Sequence, residues 1–146
     1  MSRRLAALVV AGLVLAGCGS VSLASAMQTW VTQSGFSTTG SSIVADVRHS
    51  ATALDNKSMT SSDLHTVCGV LEFELEEANA SLPTPDNQAT ELLSRAYGQF
   101  GVGASECYHA ASSASLRERA LAALAKGMGT LSEAVARVDV ASGKAP

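Results

Sequence analysis

Apolar side chains recur three and four positions apart through most of this chain, the spacing that lines them along one face of an α-helix. Leu23, Met27, Trp30 and Val31 set a first short helix over residues 21–34, ended by Gly35 in a good C′ position. Gly35 to Ser42 (GFSTTGSS) has the composition of a loop. Ile43, Val44, Val47, Ala51 and Leu54 make the stripe of a second helix, which closes around Asp55-Asn56-Lys57. Thr60 and Asp63 form a capping pair for a third helix, whose seam is Leu64, Val67, Cys68, Leu71, Leu75, Ala78 and Leu82. Pro83-Thr84-Pro85 stops it, and Thr84 as N-cap with Pro85 at the first helical position starts a fourth. That helix carries Ala89, Leu92, Leu93, Ala96, Phe100, Ala104, Cys107 and Ala111 on one face. Gly98, Gly101 and Gly103 weaken its middle by up to ~1 kcal/mol each, so a bend is expected there.

Ser115-Leu116-Arg117-Glu118 reads as a capping box for the last helix. Its seam, Leu121, Leu124, Met128, Leu131, Val135 and Val138, is the clearest heptad pattern in the chain and would equally suit a monomeric bundle or a dimer. Glu133 and Arg137 stand as an i,i+4 pair on its outer face, and residues 140–146 read as a frayed tail. No strand or hairpin pattern appears. The expected fold is all-α: an antiparallel four-helix-bundle-like domain over residues 21–139, with the short first helix packed on it or bridging to a membrane.

Ahead of this domain stands MSRRLAALVVAGLVLAGC. Arg3 and Arg4, the apolar run Leu5–Ala16 and the small residues before Cys18 describe a secretory signal peptide over residues 1–17. Leu15-Ala16-Gly17-Cys18 looks like a bacterial lipobox, whose cysteine takes a diacylglycerol thioether and becomes the new N-terminus, so residues 18–20 are expected as a lipidated start. The alternative is an uncleaved anchor running on through Val21, Leu23, Ala24 and Met27. The apolar run falls short of the roughly 17–25 residues a span needs, and Gly17, Gly19, Ser20 and Ser22 interrupt its extension. Two or more acyl chains, palmitate among them, hold a protein stably on a membrane where one does not. The expected location is therefore the outer face of the cell membrane, exported and lipid-anchored.

The formal net charge is -3, and loss of Arg3 and Arg4 makes it -5 for the 129 residues from Cys18. With no Lys/Arg cluster there is no footprint for nucleic acid and no polybasic patch for anionic lipid. Outside the cytoplasm the remaining cysteines, Cys68 and Cys107, are expected to pair; two buried free thiols on apolar helix faces are the alternative. Pairing faces a geometric obstacle. About the proline corner the two positions differ in depth by about 13 Å along ideal helices, whereas a disulfide needs Cα atoms within about 7 Å. An extended corner, a tilt or a break at Gly101–Gly103 would each absorb it.

The chemistry-bearing residues are sparse. His49, His65 and His109 fall off the apolar stripes, no CxxCH, HExxH or zinc spacing occurs, and only Met128 points inward like a haem ligand, so no metal or cofactor is expected. Glu72, Glu74, Glu76 and Glu77 spread around their helix as a solvated face instead of converging, with Glu74 close enough to the core for a salt bridge to a neighbouring helix. No GxSxG, SxxK, GxGxxG or P-loop pattern is present, and Asn79-Ala80-Ser81 is a chance sequon. Trp30 and Phe36 flank Gly35 as core packing or as a partner-facing patch; with Asp86 at the proline corner they mark the expected interaction surface.

Trp30 and Gly35, Cys68-x2-Leu71-x2-Glu74, Pro83-Thr84-Pro85-Asp86 and Cys107 together resemble a family of small uncharacterised helical lipoproteins and membrane-anchored proteins from actinobacteria. The likeness covers roughly residues 30–111. Members commonly show paired tryptophans and an aspartate where this chain has Trp30 alone and Glu74. The resemblance implies an all-helical exported domain with a disulfide, and no activity. The expected role is a non-catalytic accessory or interaction module of the cell envelope, partnered by an envelope protein. The alternative is a carrier holding a small apolar ligand or lipid between helices, in space left by Ala96, Gly98, Gly101, Gly103 and Ala104.

Overall fold

Helix formation follows the apolar spacing, and a cap starts or stops each element. The structure, a computed structural model, describes residues 21–144. It contains α1 (Leu23–Gln33), α2 (Phe36–Asp55), α3 (Ser61–Ala80), α4 (Asn87–Tyr108) and α5 (Ala114–Ala141), with no strand among the described residues. The bundle is α2 to α5, each packed on the next, and α5 returns against α2. The antiparallel register of α4 and α5 shows in three pairs. Asp86 meets Arg137 at one end, Thr130 donates to Gln99 at 2.8 Å midway, and Arg119 meets Glu106 at 2.8 Å at the other.

The α1 helix crosses the end of the bundle where α3 and α5 finish. The Trp30 indole N–H donates to the Ser81 carbonyl and the Gln28 amide to the Ser142 carbonyl, each at 2.8 Å. At the opposite pole Arg117 gathers the turns, its guanidinium donating to the carbonyls of Leu54 (2.7 Å), Asn56 (3.2 Å) and Ala111 (3.2 Å). A cation on exposed C-terminal carbonyls offsets the negative end of a helix dipole, here for α2 and beside the end of α4.

Several local expectations are corrected. The segment 35–42 is not a loop, because α2 begins at Phe36 and Gly35 alone makes the turn. At φ 61° and ψ 25°, Gly35 ends α1 and caps α2 at once, its carbonyl accepting from the amides of Thr38 and Thr39. Packing of Phe36 against Trp30 and the core outweighs the weak propensities of the Ser/Thr/Gly run. The N-cap of α4 is Asp86, not Thr84. The Thr84 hydroxyl instead braces the corner, donating to the Asp86 carbonyl at 2.6 Å and accepting from its amide.

Helix α5 starts two positions earlier than the predicted box allows: Ser113, not Ser115, caps it through the Leu116 amide. Arg137 does not pair with Glu133 but with Asp86, a partner beyond the reach of local pattern. The tail at 140–146 is helical to Ala141, with Ala141 and Ser142 buried; Gln28 and Ala24 of α1 cover it. Residues 145 and 146 lie outside the described part. Helix α4 runs unbroken through Gly98, Gly101 and Gly103. The face α5 buries is Ala120, Leu124, Gly127, Leu131, Ala134, Val138 and Ala141, rotated from the heptad seam so that Val135 is 39% exposed. Leu23 is likewise outside, 46% exposed. The capping box of Thr60 with Asp63 forms as read, with the Thr60 amide donating to the Asp63 carboxylate at 3.0 Å.

Candidate functional site

Cys68 and Cys107 are joined, with Cα atoms 6.0 Å apart, and both are fully buried. Both helices are unbroken, so no break at Gly101–Gly103 absorbs the depth mismatch, and the corner between Ala80 and Asn87 is long enough to do so. Its six residues can reach about 20 Å when extended, more than the offset. Leu82-Pro83 is a cis peptide bond within it.

Asp86 is at the other end of that corner and is not presented to a partner, contrary to expectation. Its side chain is 7% exposed, Oδ1 accepts from the Ala89 amide at 2.7 Å, and both oxygens engage Arg137 as a fork. The Arg137 hydrogen bonds hold its carboxyl below the usual range, against the opposing effect of burial. The group is a structural clasp between the start of α4 and the end of α5.

Trp30 and Phe36 come together as expected of the Gly35 turn, ring centroids 5.2 Å apart and tilted by 44°. Both are half-buried against the core. They divide two concavities. A cleft of about 320 Å³ lies between α1, α2 and α5, with Val31, Phe36, Val44, Leu131, Val135 and Val138 as its apolar lining and Ser37, Gly40 and Ser41 along one edge. An ion pair of Lys144 and Asp139 (2.9 Å) flanks it. Through Val44, Leu131 and Val135 it continues into a groove of about 250 Å³ that also includes Met128, which is half-buried and not a core residue. On the other side, Trp30, Val21, Pro83 and Pro85 border a shallow hollow.

The cleft was not legible as apolar, because on the α2 wall Phe36 and Val44 are interleaved with Ser37, Gly40 and Ser41. Of the α4 glycines expected to leave space, Gly103 is closely covered, whereas a Cβ on Gly98 or Gly101 would meet nothing within 4 Å. A Cβ on Gly103 would lie 2.7 Å from Leu124, and one on Gly127 2.5 Å from the Phe100 ring, so these glycines let α4 and α5 meet closely.

His65 is not simply solvated: its ring stacks on Tyr108 at 3.8 Å, with Nε2 3.2 Å from the Ser61 hydroxyl, and His109 meets Tyr108 edge-on. His49 is exposed near Asp46. Glu72, Glu76 and Glu77 are exposed, while half-buried Glu74 makes no ion pair among the described residues. No cluster of three or more His, Cys, Asp or Glu side chains that could hold a metal occurs among the described residues. Likewise no described helix is long and apolar enough to cross a membrane. Cys18 and the segment 1–20 lie outside the described residues. No protein-family model matches this chain, and neither a curated protein nor a solved structure matches it.

Proposed function

We propose that this chain is a lipid-anchored protein of the outer face of the cell membrane that acts as a non-catalytic accessory or interaction module of the cell envelope. The observation that carries the reading is the order Arg3-Arg4, Leu5–Ala16, Leu15-Ala16-Gly17-Cys18, followed at once by a stapled helical domain. A buried disulfide suits an oxidising compartment. The resemblance to exported actinobacterial proteins points the same way. The most constrained polar groups, Asp86, Arg137, Thr84 and Arg117, are engaged in holding helix ends, a use that suits a scaffold. The test is mass spectrometry of the membrane fraction from cells making a tagged chain, after in-cell cross-linking. A diacylated peptide beginning at Cys18 and one reproducible envelope partner are expected. An unmodified Cys18 overturns the anchor, and turnover of an envelope substrate lost on replacing a single side chain overturns the non-catalytic role.

A second reading, a carrier of a small apolar ligand, is favoured by the 320 Å³ cleft between α1, α2 and α5. Native mass spectrometry of protein purified without detergent should then show an adduct that Gly40→Phe abolishes. Protein free of adducts, with no binding of fatty acids or long-chain alcohols, eliminates the carrier.

A further inference from the structure

We infer that the α1 pole is a membrane-contact face, seated on the lipid headgroup layer with the charged body of the bundle turned away. The inference rests on the anchoring reading above. From Leu5 to Ala45 the sequence contains no Asp, Glu, Lys, Arg or His, and all 13 acidic residues lie from Asp46 onward. The fold gathers the described part of that stretch, α1 and the first half of α2, at one end. Asp86 is matched by Arg137 and Asp139 by Lys144, and the exposed Glu76 and Glu77 lie three to four residues before the end of α3 at Ala80, the nearest acidic groups without an ion-pair partner among the described residues.

Four hydroxyls at this pole are already satisfied within their own helices. Thr29 donates to the Ser25 carbonyl, Thr32 to Gln28, Ser34 to Trp30 and Ser41 to Thr38, at 2.7 to 3.0 Å. Removing them from water therefore costs less than burying free hydroxyls. Between them stand bare apolar groups: Val21 is 73% exposed, Leu23 46% and, at the end of α5, Val140 52%.

Chain length selects the occupant. Only three residues separate Cys18 from the N-cap Ser22, four Cα-to-Cα steps with a reach of at most about 14 Å. A lipidated Cys18 would hold the first turn of α1 beside the bilayer at high effective concentration. Anionic headgroups would repel the body, which holds the net charge of -5 of the mature chain, and accept the uncharged end.

Trp30, the single tryptophan, borders the hollow with Val21 and the prolines and so reports on this pole. Lipidated full-length protein would be reconstituted into phosphatidylcholine/phosphatidylglycerol vesicles whose acyl chains carry bromine near the headgroup. Flotation reads anchoring and Trp30 quenching reads seating. The expected result is co-flotation with quenching, most of which is lost in Val21→Asp/Leu23→Asp although flotation persists. Val102→Asp, on an exposed face of α4, should leave both unchanged. Protein that floats with Trp30 unquenched, or quenched equally in the double variant, overturns the inference, keeps the anchor and leaves the pole free for a protein partner. Protein that does not float overturns both.

Discussion

Along α4 and α5 the two backbones meet through glycine and alanine, with Phe100 lying against Gly127 and Leu124 against Gly103. Ion pairs hold both ends, and a disulfide ties α4 to α3. Around α1 the contact is of another kind: two side chain-to-carbonyl bonds, Gln28 to Ser142 and Trp30 to Ser81, one aromatic pair, the single fully buried side chain Met27, and a 320 Å³ cleft toward α2 and α5. Dense packing leaves little room for rearrangement, whereas a short helix held by one buried side chain and two hydrogen bonds can open at lower cost. The molecule thus joins a rigid half to an adaptable one, and the adaptable half is nearest the N-terminus.

The largest effect that would sharpen this contrast is loss of the disulfide. Cys68→Ser/Cys107→Ser should lower unfolding free energy by about 4 kcal/mol on the chain-entropy estimate for the closed loop. Urea titration of the parent with and without reductant reads it, and unchanged midpoints would show the staple contributes nothing.

Asp86→Asn should cost about 2–3 kcal/mol at neutral pH, less than for a fully buried pair because Arg137 is 31% exposed. The sign of its pH dependence follows from the lowered folded-state carboxyl. That contribution is complete above the unfolded value near 3.9 and is lost as pH falls through the lower folded value. The parent should therefore lose stability below about pH 4 more steeply than Asp86→Asn; parallel acid limbs would remove Asp86 as the clasp.

Gly127→Ala should destabilise by about 1–3 kcal/mol because the buried Phe100 ring must move. Gly129→Ala, with open space around it, should stabilise by up to ~1 kcal/mol. Equal effects of the two would mean the close approach of α4 and α5 is not sustained in solution. The smallest change is expected in the adaptable half: Trp30→Phe, which removes the bond to Ser81, should cost about 1 kcal/mol. Its amide exchange should rise in α1 alone; a rise spread over α4 and α5 would show that the two halves unfold as one.

The all-helical bundle and the five-helix count were legible because strong local signals carry them: the Thr60/Asp63 box, the proline corner, and apolar steps of three and four; the cysteine pair was legible only from the number of cysteines and the expected compartment. What was not legible depends on partners distant in sequence. Residues 36–42 are poor helix formers, and Trp30 decides their state from the preceding helix. The true inner face of α5 was hidden because Gly127, Ala120 and Ala134 carry little hydrophobic signal, yet their small size is what brings α4 near. Arg137 had an acceptable local partner in Glu133 and took a buried one 51 positions away. The candidate cleft was missed for the same reason as the α5 face: small residues shape it without announcing it.

Topologically, the bond between Cys68 and Cys107, 39 positions apart, makes a covalent ring with two tails. The proline corner lies on that ring, and Pro83 and Pro85 are exposed. Exposed loop tips are where proteases cut first. One cut there would open the ring without dividing the molecule: α1 to α3 and α4 to α5 would remain a single covalent body until the disulfide was reduced. The corner can be nicked and the chain still be whole.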